Sequence, residues 1–241
     1  MLSKLIATEA RLFFREPGVW PLTILLPTIV LVVVGSIFGT KPDPLLGGKP
    51  WIEIFDPSLV VMSLAILGVN TLPARLVKYR EKGVLRRMST TPASPRSLLI
   101  AQLVVNMGVA VISVALLIAV GNLVFAIPLP RDLIGFIAAF VLGMAALLAL
   151  GLLVAAVAPT TGIATALFVP LFALVMFLGG VYLPRTMLPD VLIRIGDYTP
   201  PGVQALLDSW SGTSPQLTQL AAMAVVTLVA GAAASRRFRW E

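Results

Sequence analysis

Residues 133–157 read LIGFIAAFVLGMAALLALGLLVAAV, a stretch without one charged side chain. A helix needs about 20 mainly apolar residues to cross the hydrocarbon core, where an open backbone finds no water to bond. Five further stretches of that kind flank it, giving expected spans at 19–39, 57–74, 97–125, 133–157, 163–183 and 215–235. Composition agrees, with 58% hydrophobic residues, 12% charged and a mean hydropathy of +0.98. The expected fold is therefore an all-α integral membrane protein of six transmembrane helices, forming one domain over residues 1–241.

Basic residues orient it. The N-terminus (Lys4, Arg11, Arg15), the loop after span 2 (Arg75, Lys78, Arg80, Lys82, Arg86, Arg87, Arg96) and the C-terminus (Arg236, Arg237, Arg239) hold most of the Lys and Arg. The opposite loops hold only Lys41, Lys49, Arg131, Arg185 and Arg194, while Asp43, Glu53, Asp56, Asp132, Asp190, Asp197 and Asp208 lie there. Positive loops stay inside, so both termini are expected in the cytoplasm. The same rule accounts for the net charge of +7 and argues against nucleic acid as a partner. Glu9, Arg11, Arg15 and Glu16 interrupt any cleavable-signal core, so the first span is expected to be retained.

Cys and His are absent, which removes thiol and imidazole chemistry and the commonest metal ligands; no metal site and no catalytic residue is expected. No Asp, Glu, Lys or Arg lies near the centre of a span, against a proton- or sodium-coupled carrier. Asp190, Asp197 and Asp208 read as solvated loop carboxylates. Asn70, Asn106, Asn122 and Gln102 bond between helices or line a pathway. Small residues in span 4 (Gly143, Ala145, Ala146, Ala149, Gly151) and span 6 (Ala221, Ala222, Ala224, Ala230, Gly231) invite close helix contact. Pro27 and Pro170 are expected to kink spans 1 and 5.

Residues 1–17 carry Leu2, Leu5, Ile6, Leu12 and Phe13 on one helical face and Lys4, Thr8, Arg11 and Arg15 on another, with Glu9 out of place. Such a helix lies along the membrane surface, and Arg15-Glu16-Pro17 ends it as an elbow. Asp56-Pro57, Ser94-Pro95 and Ser214-Pro215 read as capped helix starts, as does Thr199-Pro200. Residues 184–214 are too long for a turn and show helical spacing on both sides of 196–199, which predicts two short helices re-entering the outer membrane face.

The cytoplasmic loop 75–96 carries the most information. It continues span 2 to Gly83 and then places Val84, Leu85 and Met88 against Arg86 and Arg87 before Pro92 and Pro95 end it. Tyr79-Arg80-Glu81-Lys82-Gly83-Val84-Leu85-Arg86-Arg87-Met88-Ser89-Thr90-Thr91-Pro92 resembles the E-[RK]-E-x-G-[TV]-L-x-x-[LM]-x-x-[TS]-P loop of the ABC-2 type permeases, with Tyr79 in place of the usual Glu. The elbow, Pro27 within span 1, and Leu183-Pro184 with Leu188-Pro189 extend the likeness over nearly the whole chain.

The resemblance implies a membrane subunit of an ATP-driven exporter, most like the small drug-export permeases of bacterial or archaeal plasma membranes. It implies that Arg80, Glu81, Lys82, Gly83, Val84, Leu85, Arg86, Arg87, Met88 and Pro92 form a coupling helix on a nucleotide-binding subunit, present in two copies. It also implies a second permease subunit, as a homodimer or a sister chain. No G-x-x-x-x-G-K-[ST] loop is present, so ATP and Mg belong to the partner and this chain binds no cofactor. With no charge in the spans to hold an ion, a hydrophobic or amphipathic cargo fits, and Asn70, Phe168, Phe172 and Phe177 are candidates to line its path. A lipid-linked glycan exporter of the same family and an ATP-independent channel or scaffold are the alternatives.

The distribution of charge makes a topological prediction. Single cysteines at Ser3 or Ser89 should react with an impermeant maleimide only from the cytoplasmic side, and those at Gly48 or Ser211 only from outside.

Overall fold

The computed structural model describes residues 2–39, 41–43, 48–84, 95–183 and 185–237. Ten helices are described, numbered here α1 Leu2–Arg15, α2 Trp20–Phe38, α3 Trp51–Ala65, α4 Leu72–Glu81, α5 Pro95–Phe125, α6 Leu133–Val157, α7 Thr161–Leu178, α8 Asp190–Tyr198, α9 Val203–Ser211 and α10 Leu217–Arg237. A short antiparallel pair, β1 Pro42–Asp43 with β2 Lys49–Pro50, closes the α2–α3 connection. Six helical stretches are long and apolar enough to cross a membrane, the second running unbroken from Trp51 to Glu81.

That second stretch is the axis of the bundle. In its most apolar part 83% of residues are buried, against 22% for α7 and for α10, so the other helices are arranged around it. Its middle, Ile66–Thr71, is a π-helix in which the Leu72 amide donates to Leu67 and the Thr71 hydroxyl to the Ile66 carbonyl at 3.1 Å. Pro73 accounts for it: the ring lacks an N–H and crowds the carbonyl four residues back, and a wider turn relieves the clash. Pro27 and Pro170, in contrast, sit inside α2 and α7 without interrupting either helix.

Several expected helix starts lie elsewhere. α3 begins at Trp51, so Asp56-Pro57 is more than a turn inside it, and Asp56 is buried with neither carboxylate oxygen hydrogen-bonded among the described residues. An acid expected in an outer loop thus stands within the second membrane stretch. α9 starts at Val203 after a left-handed Gly202, not at Thr199-Pro200, and α10 starts at Leu217, two residues past Pro215. The caps that do form are Asp132, accepting from the Gly135 amide at 3.0 Å, and Thr160, accepting from Ile163 at 3.3 Å. α5 does begin at Pro95.

Small residues act where two backbones meet. A Cβ on Gly151 would lie 2.0 Å from the Gly68 carbonyl oxygen in the π segment, and one on Gly143 would lie 2.3 Å from the carbonyl of Pro201. α6 therefore packs directly on the axial helix and on the α8–α9 connection, as close helix association requires. Gly231 on α10 faces open space and has no such role.

α8 and α9 flank residues 199–202, as the helical spacing there predicts, and α9 buries Val203, Ala205, Leu206 and Trp210 in the core. Arg185, buried, forms an ion pair with Asp197 and donates to the Ile193 carbonyl at 3.3 Å, tying the start of this segment to α8. Asp208 accepts from Gln204 at 2.7 Å. The Trp210 indole donates to Pro128 at 2.8 Å and meets the edge of Phe136, fastening α9 to α6.

Gly151→Ala should lower the unfolding temperature of the detergent-solubilised protein, since over-packing against backbone costs about 1–3 kcal/mol. Gly231→Ala, where nothing lies within 4 Å, should leave it unchanged or raise it.

Candidate functional site: the charged end of the axial helix

α4 carries LPARLVKYRE, and its helical spacing gives it two polar faces. Arg75, Lys78 and Tyr79 are three and four residues apart and share one; Arg80 and Glu81 lie on the other. Each face grips a different part of the protein.

The first face holds the elbow. Arg75 Nη2 donates to Glu16 Oε2 at 3.2 Å and Lys78 Nζ to Glu16 Oε1 at 3.4 Å, while the Arg75 guanidinium lies 4.8 Å from the centre of the Phe13 ring. The Tyr79 hydroxyl donates to Glu9 Oε2 at 3.0 Å, and Gln102 on α5 donates to the same carboxylate. Glu9 is only 4% exposed and Phe13 is fully buried. The inner face of α1 is thus Glu9 with Phe13, while Leu2 and Leu12, expected beside Phe13, are exposed. Glu9 is the anchor of the elbow helix rather than a flaw in its pattern. Of the elbow residues, Arg15 is the exposed last residue of α1, Glu16 holds both ion pairs, and Pro17 is exposed in the turn into α2.

The second face holds the α6–α7 turn. Arg80 Nη1 donates to the Ala155 carbonyl at 3.2 Å and Nη2 to that of Ala158. Glu81 Oε1 accepts from the Thr161 amide at 2.8 Å and its hydroxyl at 3.3 Å. A cation therefore sits at the C-terminus of α6 and an anion at the N-terminus of α7, each opposite in sign to the helix end it meets. Such placements contribute about 0.3–1 kcal/mol apiece.

Gly83 terminates α4. Its φ is +65°, its amide donates to the Arg80 carbonyl at 2.9 Å, and a Cβ there would meet nothing within 4 Å. Its role is the turn and not a close approach to a neighbour. Val84 follows it; Leu85, Arg86, Arg87, Met88 and Pro92 lie outside the described residues, and Lys82 caps α4.

The pathway candidates fall in different places. Asn70, in the π segment, lines a cavity of about 250 Å³ with residues of α2 and α4. Phe168 and Phe172 contact each other on α7 at 5.0 Å between centroids and pack on the core, and Phe177 is half-buried further along. None of the three phenylalanines is among the residues that line the Asn70 cavity. Two apolar crevices of about 500 and 300 Å³ run between α5 and α6 and share Met107. Of the other polar residues of the spans, Asn106 donates to the Gln102 carbonyl of its own helix at 2.8 Å, and Asn122 to that of Ile127 at 3.0 Å.

Six spans with an axial helix clamped at one end to an N-terminal helix and to a turn between spans define a multi-pass membrane protein. The sequence pattern of the ABC-2 type transporter family matches residues 2–201, and the chain belongs to that family. It is the permease subunit of an ABC transporter, a kind of subunit that works with an ABC ATPase. Among curated proteins the chain has no match.

Burial pushes the Glu9 carboxyl above its ordinary value of 4.5; the Tyr79 hydrogen bond and the Arg75 charge oppose the rise, and the Glu16 charge adds to it. Between 4.5 and the raised value the docked elbow holds more protons than the undocked one, so docking weakens as pH rises. A spin-label distance between α1 and α5 should follow that dependence, and Glu9→Gln should flatten it. Tyr79→Phe should cost about 1–3 kcal/mol of docking, because the buried carboxylate loses a donor.

Proposed function

We propose that this permease exports a hydrophobic or amphipathic compound, drug-like or lipid-like, from the cytoplasm or inner leaflet, driven by ATP hydrolysed on a separate subunit. In this reading two nucleotide-binding subunits serve a pair of permease chains, identical or sister, in a bacterial or archaeal plasma membrane. Both termini and the 75–96 loop face the cytoplasm, α1 lies along the membrane surface, and α8 and α9 re-enter its outer face.

The observation that carries the reading is the double clamp at the end of α4. The loop that would seat on the ATPase leaves the bundle at Gly83, directly after the residues that hold the elbow on one side and α6–α7 on the other. A displacement of the loop is thereby delivered to three membrane helices and the elbow together. Apolar cargo is supported by the crevices between α5 and α6, whose walls are Leu, Val, Ile, Met, Phe and Ala, with Thr227 and Gly231 of α10 closing the larger one.

The test is ATP-driven transport by the complete complex in liposomes. Gly83→Leu forces a side chain into a left-handed turn and Glu81→Ala removes the link to α7. Both variants should assemble with the ATPase and hydrolyse ATP while transport falls. Losing a hydrogen bond to a charged group costs about 1.5–3 kcal/mol, equivalent to a fall of about 10- to 150-fold. Transport at the parental rate in both variants would refute a coupling role for this segment. Ser211→Ala, on the opposite side, should change little.

A further inference from the structure

The 250 Å³ cavity beside the π segment is lined by polar groups that the clamp does not exhaust. It lies between the start of α2 and the stretch from Ile66 to Lys78, with Asn70, Arg75, Lys78 and Glu16 among its walls. Arg75 is more than nine-tenths buried and spends Nη2 on Glu16, while Nη1 is enclosed with no acceptor among the described residues. Lys78 is half exposed. Asn70 lines the space with no hydrogen-bond partner among the described residues. Two cations and an amide therefore converge on one cavity against the single carboxylate of Glu16.

We propose that this cavity seats the phosphate-bearing head of an amphipath whose apolar tail lies in the cytoplasmic leaflet. The proposal deepens the exporter reading by naming the headgroup class, and rests on that reading only for the direction of transport; the binding site stands by itself.

Three features select this ligand. Arg75 and Lys78 place two positive charges in the cavity wall against the one carboxylate of Glu16, and an anionic oxygen in the cavity balances the excess. Lys78 and Asn70 offer donors of differing geometry beside the fixed charge of Arg75, and a phosphate presents three acceptor oxygens able to meet both donors at once. From Asn70 to Lys78 the helix rises about 12 Å, so the donors extend from the apolar part of the axial helix to the cytoplasmic end of α4. Val19, Leu22 and Ile66 complete the walls on the apolar side, and Leu22 is 60% exposed on the outer surface of α2. A chain attached to the bound head can run out over Leu22 into lipid without crossing protein. Free phosphate would use the donors and leave that apolar wall unused.

The π-helix gives the site its position. A regular α-helix would rotate residues before and after Ile66–Thr71 by about 100° relative to their present alignment, because the wider turn inserts one extra residue. Asn70 would then no longer share a cavity with Arg75 and Lys78.

The experiment uses the purified full chain in phosphatidylcholine nanodiscs containing a minor fraction of phosphatidic acid. Lipid retained per chain is counted by native mass spectrometry. The parental chain should retain phosphatidic acid in preference to phosphatidylcholine, decyl phosphate should displace it, and inorganic phosphate at equal concentration should not. Lys78→Gln combined with Asn70→Leu should reduce retention about tenfold or more, a change of about 1.4 kcal/mol. Ala74→Trp provides a second variant that fills the cavity from an exposed position and leaves every charge in place; it should abolish retention in a chain whose helicity and elution are unchanged.

Equal retention by the parent and Ala74→Trp would overturn the proposal. So would displacement by inorganic phosphate as effective as by decyl phosphate, which would make the cavity a free-phosphate site. Failure here leaves the exporter reading to its own liposome assay, and a complex that moves no cargo outward while still retaining phosphatidic acid would refute that reading and not this site.

Discussion

Everything at the charged end of this protein depends on how the axial helix carries its cations past the apolar bundle. A buried helix cannot end in unpaired arginines without losing their hydration, and the partners must come from elsewhere in the fold. Here Glu16 meets Arg75, the terminal carbonyls of α6 meet Arg80, and the first amide of α7 meets Glu81. Electrostatic neutralisation and mechanical connection are the same set of contacts. The axial helix cannot shift along its length without drawing the elbow and the α6–α7 turn with it or breaking those bonds.

The middle of the same helix is bound by a different force. At Gly68 and Gly151 the backbones of the π segment and α6 are in contact, with no side chain between them. Contacts of this kind depend on shape alone and fall off within a fraction of an ångström. The axial helix and α6 are therefore joined twice, by close packing at mid-membrane and by Arg80 at the surface, and they behave as one unit. α7 and α10 are mostly exposed.

The membrane helices were legible in the sequence because length and hydropathy are local properties. The caps were legible in part. Asp56-Pro57 has the composition of a helix start, yet tertiary packing extends the helix upstream to Trp51 and leaves the carboxylate buried. Asp132 and Thr160, which do cap, have the same chemistry without a following proline. The charged clamp was not legible at all, because its partners are distant: Tyr79 reaches Glu9 across seventy residues and Glu81 reaches Thr161 across eighty. A π-helix likewise has no reliable local signature beyond Pro73. Glu81, read from the family's loop as a contact to the ATPase, is turned toward this chain's own α7.

The same geometry explains the one place where the loop departs from its family's pattern. Position 79 faces α1, and Glu9 with Glu16 already places two carboxylates near that face. The family's usual Glu at this position would add a third beside the buried Glu9, where like charges in low dielectric repel strongly and neither could be satisfied. Tyrosine removes the charge and supplies a hydroxyl donor, and the result is a 3.0 Å hydrogen bond to the carboxylate that most needs one. Glu9 and Tyr79 thus form a matched pair of acceptor and donor. Position 79 in this chain serves the elbow.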